Sequence, residues 1–273
     1  MKTLLIADSG GTRTDWCFVN EQGQRHFFES ESYHPTNWNA HFWARIKKFW
    51  EDHPLMLNAE LHFFGAGCLN ESNASLIKNQ FGEIGFKQSL IKSDVHAAGI
   101  ALFGKESGYG AILGTGSVAF EWSGGELNKV VGGKGYKKGD EGSGYYFGKL
   151  VFIALEAGEL TEKQQQIFLS VLNQKEIRSE LGKDDEKKSL AEIAIQLHPH
   201  REEFKIFHEE NIQAFYKCHL LNTNYKSIRM VGGYALHYQK WIVSCLLDHG
   251  VKIEKVEERP IVSLVEQIAP TVD

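Results

Sequence analysis

The stretch Leu4-Leu5-Ile6-Ala7-Asp8-Ser9-Gly10-Gly11-Thr12-Arg13-Thr14-Asp15-Trp16 decides how this chain is read. An apolar run from Thr3 to Ala7 ends in a carboxylate and a Gly-Gly-Thr turn, and a second apolar run, Trp16 to Val19, follows. A third, His26 to Glu29, lies beyond another Gly-containing turn, so the opening reads as a three-strand meander. Phe42, Trp43, Ile46, Phe49 and Trp50 then recur at helical spacing. Leu61 to Phe64 and Ser89 to Ile91 read as strands with a helix near Ala74 to Phe81 between them, and a helix from about Val95 to Phe103 closes the order βββαβαβ.

The pattern then restarts. Tyr109 to Leu113, Ser117 to Trp122 and Lys129 to Val131 read as three short strands joined by Gly-rich turns, followed by a helix from about Ser143 to Glu156. Laying Trp16 on Trp122 gives an offset of 106 (122 − 16), which places Ile6 on Ile112, Ser9 on Thr115 and Gly10 on Gly116, a weak internal repeat. From Leu160 to Leu221 the chain is polar and helical, with a charged break at Gly182 to Lys188 that reads as a solvated loop. Ser227 to Val231 is a strand, Tyr234 to Leu247 a helix, Lys252 to Val256 a last strand, and Pro260 suits the first turn of a last helix. The expectation is an α/β protein of two domains with mixed sheets flanked by helices, and a nucleotide and a small substrate held in a cleft between them. The domains are placed at 1–107 and 108–259, with the helix of 260–273 packing back on the first.

Bulk composition narrows the function. The chain has 273 residues, 42% hydrophobic and 24% charged, with a net charge of −5, which suits a globular protein and not a phosphate-coating surface. Nucleic acid is therefore not expected as a partner. Nor is a membrane, because no apolar stretch approaches the roughly 18 residues of a span, and the expected location is cytoplasmic. Cys17, Cys68, Cys218 and Cys245 show no metal-ligand or disulfide spacing and read as buried reduced thiols. His198 and His200 flank Pro199 as a lone HxH, which reads as surface. Glycine is the unusual count, 27 in all, with 15 of them between Gly99 and Gly148.

Five motifs bear on chemistry. In Asp8 to Asp15 the glycines let backbone N–H groups approach anionic oxygens, Thr12 and Thr14 add hydroxyls, and Asp8 at a strand end is placed to hold Mg²⁺ directly or through water. The Gly-Lys-Ser/Thr ending of a Walker loop is absent, so the bland alternative is a Gly-rich hairpin with an Asx turn. Gly114-Thr115-Gly116-Ser117 mirrors that loop, and two such hairpins would clamp a triphosphate. Gly132 to Gly144 carries six glycines in thirteen positions before an apolar helix, which would let backbone wrap a small ligand, although Asp140 or Ser143 could simply cap the helix. Asp94, in Ser93-Asp94-Val95-His96, sits where a strand meets a helix, suited either to a cap or to a general base for a substrate hydroxyl. Val231-Gly232-Gly233-Tyr234-Ala235 would let adenosine lie against backbone, or is a tight strand-to-helix turn.

In this order and spacing the five motifs resemble the actin, hexokinase and heat-shock ATPase superfamily, and within it the BadF/BcrA-type ATPases and the N-acetylglucosamine kinases. The resemblance covers nearly the whole chain, and GTGS followed by GDEGSGYYFG is its most specific part. It implies two ribonuclease-H-like domains, with ATP and Mg²⁺ as cofactors. Asp8 would stand at the magnesium position, and Gly10, Gly11, Thr12, Arg13, Thr14, Gly114, Gly116 and Ser117 at the phosphates. Gly232 and Gly233 would face adenosine. The kinase branch further implies Asp94 as catalytic base and Asn37 of Thr36-Asn37-Trp38, Asp94, Thr115, Gly133, Asp140 and Gly144 at the sugar. Two departures bear on the acetamido group: Lys134 replaces Trp in the GGWG run, and Phe64-Gly65-Ala66-Gly67 replaces Ser-Gly-Gly.

The leading expectation is an ATP-dependent amino-sugar kinase, N-acetylglucosamine giving its 6-phosphate, in which closure excludes water. One alternative is the ATPase activator of a 2-hydroxyacyl-CoA dehydratase, whose iron–sulfur cluster needs closely placed cysteines that this chain lacks. The other is a non-catalytic sugar or nucleotide sensor. Oligomeric state stays open between monomer and homodimer, and Trp38 and Trp50 between interface and core.

Overall fold

The computed structural model describes residues 2–269 except 36, 37, 134, 136, 138, 184 and 185. The chain divides into two compact units, Met1–Glu106 with Gly124–Leu127 and Arg259–Asp273, and Ser107–Ser123 with Asn128–Glu258.

The first unit runs β1 (Leu4–Ser9), β2 (Arg13–Val19), β3 (Arg25–Glu31), α1 (Ala40–Glu51), β4 (Glu60–Gly65), α2 (Glu71–Ile84), β5 (Ser89–Ser93) and α3 (Asp94–Phe103), which agrees with the expected βββαβαβα order. Its sheet has the order β3-β2-β1-β4-β5. The meander pairs antiparallel, while β4 and β5 lie parallel to β1, so the carboxyl ends of β1, β4 and β5 share one edge. Side chains alternate across a strand. Leu5 and Ala7 therefore join the aromatic cluster of Trp16, Tyr33, Trp50, Phe63 and Phe81 on one face, while Ile6 joins Ala97 and Ala101 of α3 on the other. The helix α11 (Pro260–Ile268) packs on that second face through Ile261, Leu264 and Val265. Trp50 is core, 1% exposed, and donates its indole N–H to the Tyr33 hydroxyl at 2.9 Å. Trp38 is partly buried against the same cluster.

The second unit repeats the plan with β6 (Gly108–Leu113), β7 (Ser117–Ser123), β8 (Glu126–Gly132), β9 (Ser227–Val231) and β10 (Lys252–Glu257), in the equivalent sheet order β8-β7-β6-β9-β10. Between β8 and β9 come α4 (Gly144–Ala157), α5 (Glu162–Val171), α6 (Gln174–Glu180), α7 (Glu186–Leu197) and α8 (Lys205–Phe215), and α9 (Gly233–His237) and α10 (Gln239–Asp248) follow β9. β1 and β6 share one burial pattern along their six residues, which sets the repeat at 104 (108 − 4) and not 106. The two tryptophans do not correspond, because the second hairpin closes Leu113 on Ser117 while the first closes Ser9 on Thr14, one residue wider.

Three other expectations are corrected. The charged break is shorter than 182–188, because α7 begins at Glu186 and takes Lys187 and Lys188 into a helix. The helix of 234–247 is two helices, interrupted at Tyr238, whose hydroxyl donates to the Ala194 carbonyl and whose ring lies against His208. Cys218 is exposed, unlike the three buried cysteines, since it sits on a π turn at the end of α8.

Candidate functional site

In the first unit, strand alternation decides where the carboxylates go. Asp8 has the parity of Ile6 and so faces the side covered by α3, whose first residue is Asp94 at the end of β5. Asp8 pairs across β4 through Phe64 to Lys92, two residues short of Asp94. Two strand spacings of about 4.8 Å separate the backbones, within reach of two side chains that converge over one edge. The half-buried Asp8 carboxyl is raised to about 7, first by burial and next by the charge of Asp94, with Asp15 adding to it and Arg13 opposing. A cation beside Asp8 would therefore favour its charged form near neutral pH.

Asp94 itself accepts the Val95 N–H at 3.0 Å, a helix-start contact, which keeps the capping role alongside any chemical one. Ser93 does not cap with its side chain; its hydroxyl binds His96 Nδ1 at 2.8 Å and ties the start of α3 to the next turn. Burial and Lys92 push His96 down to about 4, so that ring is neutral.

The hairpin between β1 and β2 turns at the same edge. Gly10 N–H donates to the Arg13 carbonyl at 3.0 Å, which leaves Gly11 and Thr12 as the exposed tip. Thr14 differs from Thr12. It is fully buried, its hydroxyl pairs with Ser9 Oγ at 2.7 Å and donates to the Glu31 carbonyl at 3.1 Å, and Ser9 Oγ accepts the Tyr33 N–H. Arg13 lies 3.4 Å from carboxylates of both Asp15 and Glu29.

The second unit builds its edge more tightly. Gly114 N–H donates to Gly116, and the Gly114 and Thr115 carbonyls accept the N–H groups of Gly144 and Tyr145, the first residues of α4. Protein carbonyls thus occupy donors that a ligand could otherwise use. Ser143 caps α4 by accepting the Tyr146 N–H. Ser117 is spent internally, its N–H on Asp140 Oδ1 at 3.2 Å and its hydroxyl on the Glu141 carbonyl at 2.7 Å. Thr115 and Gly116 remain as the tip. Asp140, 4% exposed and at φ 69°, has its other oxygen 2.9 Å from Lys187 Nζ. Gly232 abuts this loop from β9, where a Cβ would stand 2.5 Å from the Leu113 carbonyl oxygen.

No protein-family model and no curated protein matches this chain. Solved structures do. A candidate N-acetylglucosamine kinase from Porphyromonas gingivalis superposes with a TM-score of 0.86 at 24% identity, over 97% of this chain and 98% of that one. A candidate N-acetylglucosamine kinase from Chromobacterium violaceum gives 0.73 at 17%, over 98% and 99%. A ROK family glucokinase from Streptomyces griseus, solved with glucose and AMPPNP, gives 0.56 at 13%, over 98% of both chains. The chain has the two-domain actin-like ATPase fold.

The glucokinase neighbour holds AMPPNP, and the residues present here can be weighed against a nucleotide and a divalent cation. Among the described residues no group of three or more His, Cys, Asp or Glu could hold a metal. Mg²⁺ needs no such cage, since one or two carboxylates and substrate phosphates with water suffice, and Asp8 is a carboxyl of that kind. Gly10, Gly11 and Gly114 have neither a positive φ nor a neighbour that a Cβ would strike, so the fold alone does not ask for glycine there. A ligand lying on backbone would.

Of the sugar residues expected within this fold, Asn37 and its neighbour Thr36 lie outside the described residues. Gly133 follows β8 at φ 64°, and Gly144 opens α4. Two residues escaped the sequence reading. Lys187 reads as solvated from the sequence, with nothing in its surroundings to mark it. Asn211, fully buried, accepts the Gly142 N–H at 2.7 Å and donates to the Ser143 carbonyl at 3.0 Å, bracing the glycine-rich loop. A lone Asn in the apolar register of α8 was its only signal.

Proposed function

We propose that this chain is an ATP-dependent sugar kinase, acting on an amino sugar and most directly on the 6-hydroxyl of N-acetylglucosamine. The observation that carries the reading is the pair Asp8 and Asp94, two electrostatically coupled carboxylates at the carboxyl edge of a parallel strand set beside an open Gly-Thr hairpin. Phosphoryl transfer asks a protein mainly to position its reactants and neutralise charge, and one carboxylate for the metal with one for the acceptor hydroxyl is a minimal set.

Asp94 takes the proton of the attacking hydroxyl, contributing about 10²- to 10⁴-fold as a positioned base. Asp8 is the residue that would hold Mg²⁺, directly or through water, and a bound ion would supply charge neutralisation at the phosphates. Gly11 and Thr12 donate to the phosphates from the first hairpin and Gly116 from the second, with Thr115 beside the sugar. Thr14, Ser117 and the N–H groups of Gly10 and Gly114, included in the sequence expectation, serve instead by holding the two turns in shape, since their donors are committed. Arg13 joins the phosphates only by leaving Asp15 and Glu29. Gly232 and Gly233 lie against adenosine, and Asn37, Gly133, Asp140 and Gly144 serve the sugar.

The fold is common to kinases that differ in substrate, so the sugar is the part most exposed to test. Hexoses, glucosamine, N-acetylglucosamine, N-acetylmannosamine and N-acetylmuramic acid are screened for sugar-dependent ADP formation. N-acetylglucosamine is expected to give the highest kcat/KM. Asp94→Asn is expected to fold and bind sugar yet lose at least about 10²-fold in kcat. A near-normal rate would remove Asp94 from its role, and no sugar-dependent ADP from any acceptor would remove the kinase reading.

A further inference from the structure

Lys187 and Asp140 meet at the second hairpin in a way the sequence did not suggest. Lys187, in the first turn of α7, reaches Asp140 Oδ2 at 2.9 Å, and its Nζ stands 2.5 Å from where a Cβ of residue 116 would be. Glycine at 116 therefore admits an ammonium directly over the backbone of the loop tip. The lysine is one-third exposed while the carboxylate is 4% exposed, so the cation keeps a path to solvent and its partner has none. Although the charges are close, among the described residues Oδ2 has no hydrogen-bond donor of proper direction, while Oδ1 accepts the Ser117 N–H. A buried carboxylate oxygen with a nearby but misdirected ammonium is an incomplete arrangement.

We infer that Lys187 is a nucleotide-phosphate ligand that rests on Asp140 when no nucleotide is bound. Lysine suits this, being a compact charge on a flexible stem with three rotatable donors. A polyphosphate at the Thr115-Gly116 tip presents more negative charge than one carboxylate and draws Nζ across a few ångströms. Asp140 Oδ2 is then left to accept a hydrogen bond from a hydroxyl donor. Nucleotide and hydroxyl substrate are thereby coupled through one side chain, and each strengthens the other. The inference rests on the nucleotide-binding part of the proposed function and adds a residue to it.

Equilibrium binding of ATP, ADP and adenosine, each with Mg²⁺, to the full chain and to Lys187→Met and Lys187→Arg tests this without turnover. Lys187→Met is expected to weaken ATP by about tenfold or more, ADP by less and adenosine by under about twofold, with Lys187→Arg retaining most of the ATP affinity. Unchanged ATP affinity in Lys187→Met would overturn the inference while leaving the nucleotide reading intact. An equal loss for ATP and adenosine would also overturn it, since that marks a structural role. Failure of the unsubstituted chain to bind any of the three would overturn the nucleotide reading and this inference with it. As a second variant, Asp140→Asn releases the lysine, and ATP affinity is expected to hold or tighten. A tenfold loss there would count against a resting partner.

Discussion

The hairpins Ser9–Thr14 and Leu113–Ser117 occupy equivalent places in two sheets of the same strand order, yet they are built on different physics. The first has an exposed tip, a buried threonine lock beneath it and two coupled carboxylates at its edge. The second accepts the first N–H groups of α4 on its carbonyls, spends its serine on the next loop and is pinned by Gly232. One duplicated frame has separated two duties. Under the proposed function, the first hairpin would carry the titratable charge and the second the rigidity that holds a phosphate without reorganisation.

The largest effect separating them is expected from charge. Asp8→Asn should lower sugar-dependent ADP formation by about 10² or more, because a neutral amide cannot hold the cation that offsets developing charge. The same substitution should change the pH dependence of stability in the ligand-free chain. Asp8 is raised from 3.8 to about 7 by burial and by Asp94. The folded state therefore holds a proton that the unfolded state has released, and stability present below about pH 4 is lost as pH rises through about 7. Denaturant midpoints measured from pH 4 to 8 should fall across that window in the unsubstituted chain and flatten in Asp8→Asn. A flat profile in both would mean that the carboxyl is not raised.

Glycines give the next contrast. Gly232→Ala in the second unit meets the Leu113 carbonyl at 2.5 Å and starts from φ 110°, so a loss of about 3 kcal/mol or more in unfolding free energy is expected. Gly114→Ala and Gly11→Ala strike nothing and start from negative φ, so stability should move by less than about 0.5 kcal/mol. Their effect should instead be on ATP affinity. If either glycine proved structurally essential, the reading that a ligand lies on that backbone would lose its support.

The same contrast explains what was legible beforehand. The order of elements along the chain in both units followed from short apolar runs and Gly-rich turns, since periodicity and turn chemistry are local, whereas the order of strands in each sheet was not legible. Asp8 and Asp94 stood out because a carboxylate directly after an apolar strand is a local signal as well. The repeat offset went wrong by two because Trp16 and Trp122 are conspicuous and yet not equivalent, and only the closure of each hairpin fixes register. Tertiary partners were out of reach. Nothing local says that Lys187 in a charged segment turns toward a buried aspartate, that Asn211 braces a loop far from it in sequence, or that the Ser117 donors are already spent.

Thr12 and Thr14 look alike in Gly11-Thr12-Arg13-Thr14, and the sequence treated both as phosphate donors. Their surroundings say otherwise. Thr14 closes a chain from the Tyr33 N–H through Ser9 to the Glu31 carbonyl, buried at Tyr33, Ser9 and Thr14. Thr14→Val keeps the shape but leaves the buried Ser9 hydroxyl short of a partner, while the Glu31 carbonyl keeps the Ser30 hydroxyl, so a loss of about 1–2 kcal/mol in stability is expected, with ATP affinity changed only through the hairpin's shape. Thr12→Val exposes a methyl group in place of an exposed hydroxyl and should leave the denaturation midpoint unmoved while weakening ATP several-fold, as the loss of one charge-assisted hydrogen bond does. The pair thus forms a crossed test in which one substitution reads out in unfolding and the other in binding. Equal behaviour in both assays would mean that the first hairpin is a structural turn, and the division of duties between the two hairpins would fail with it.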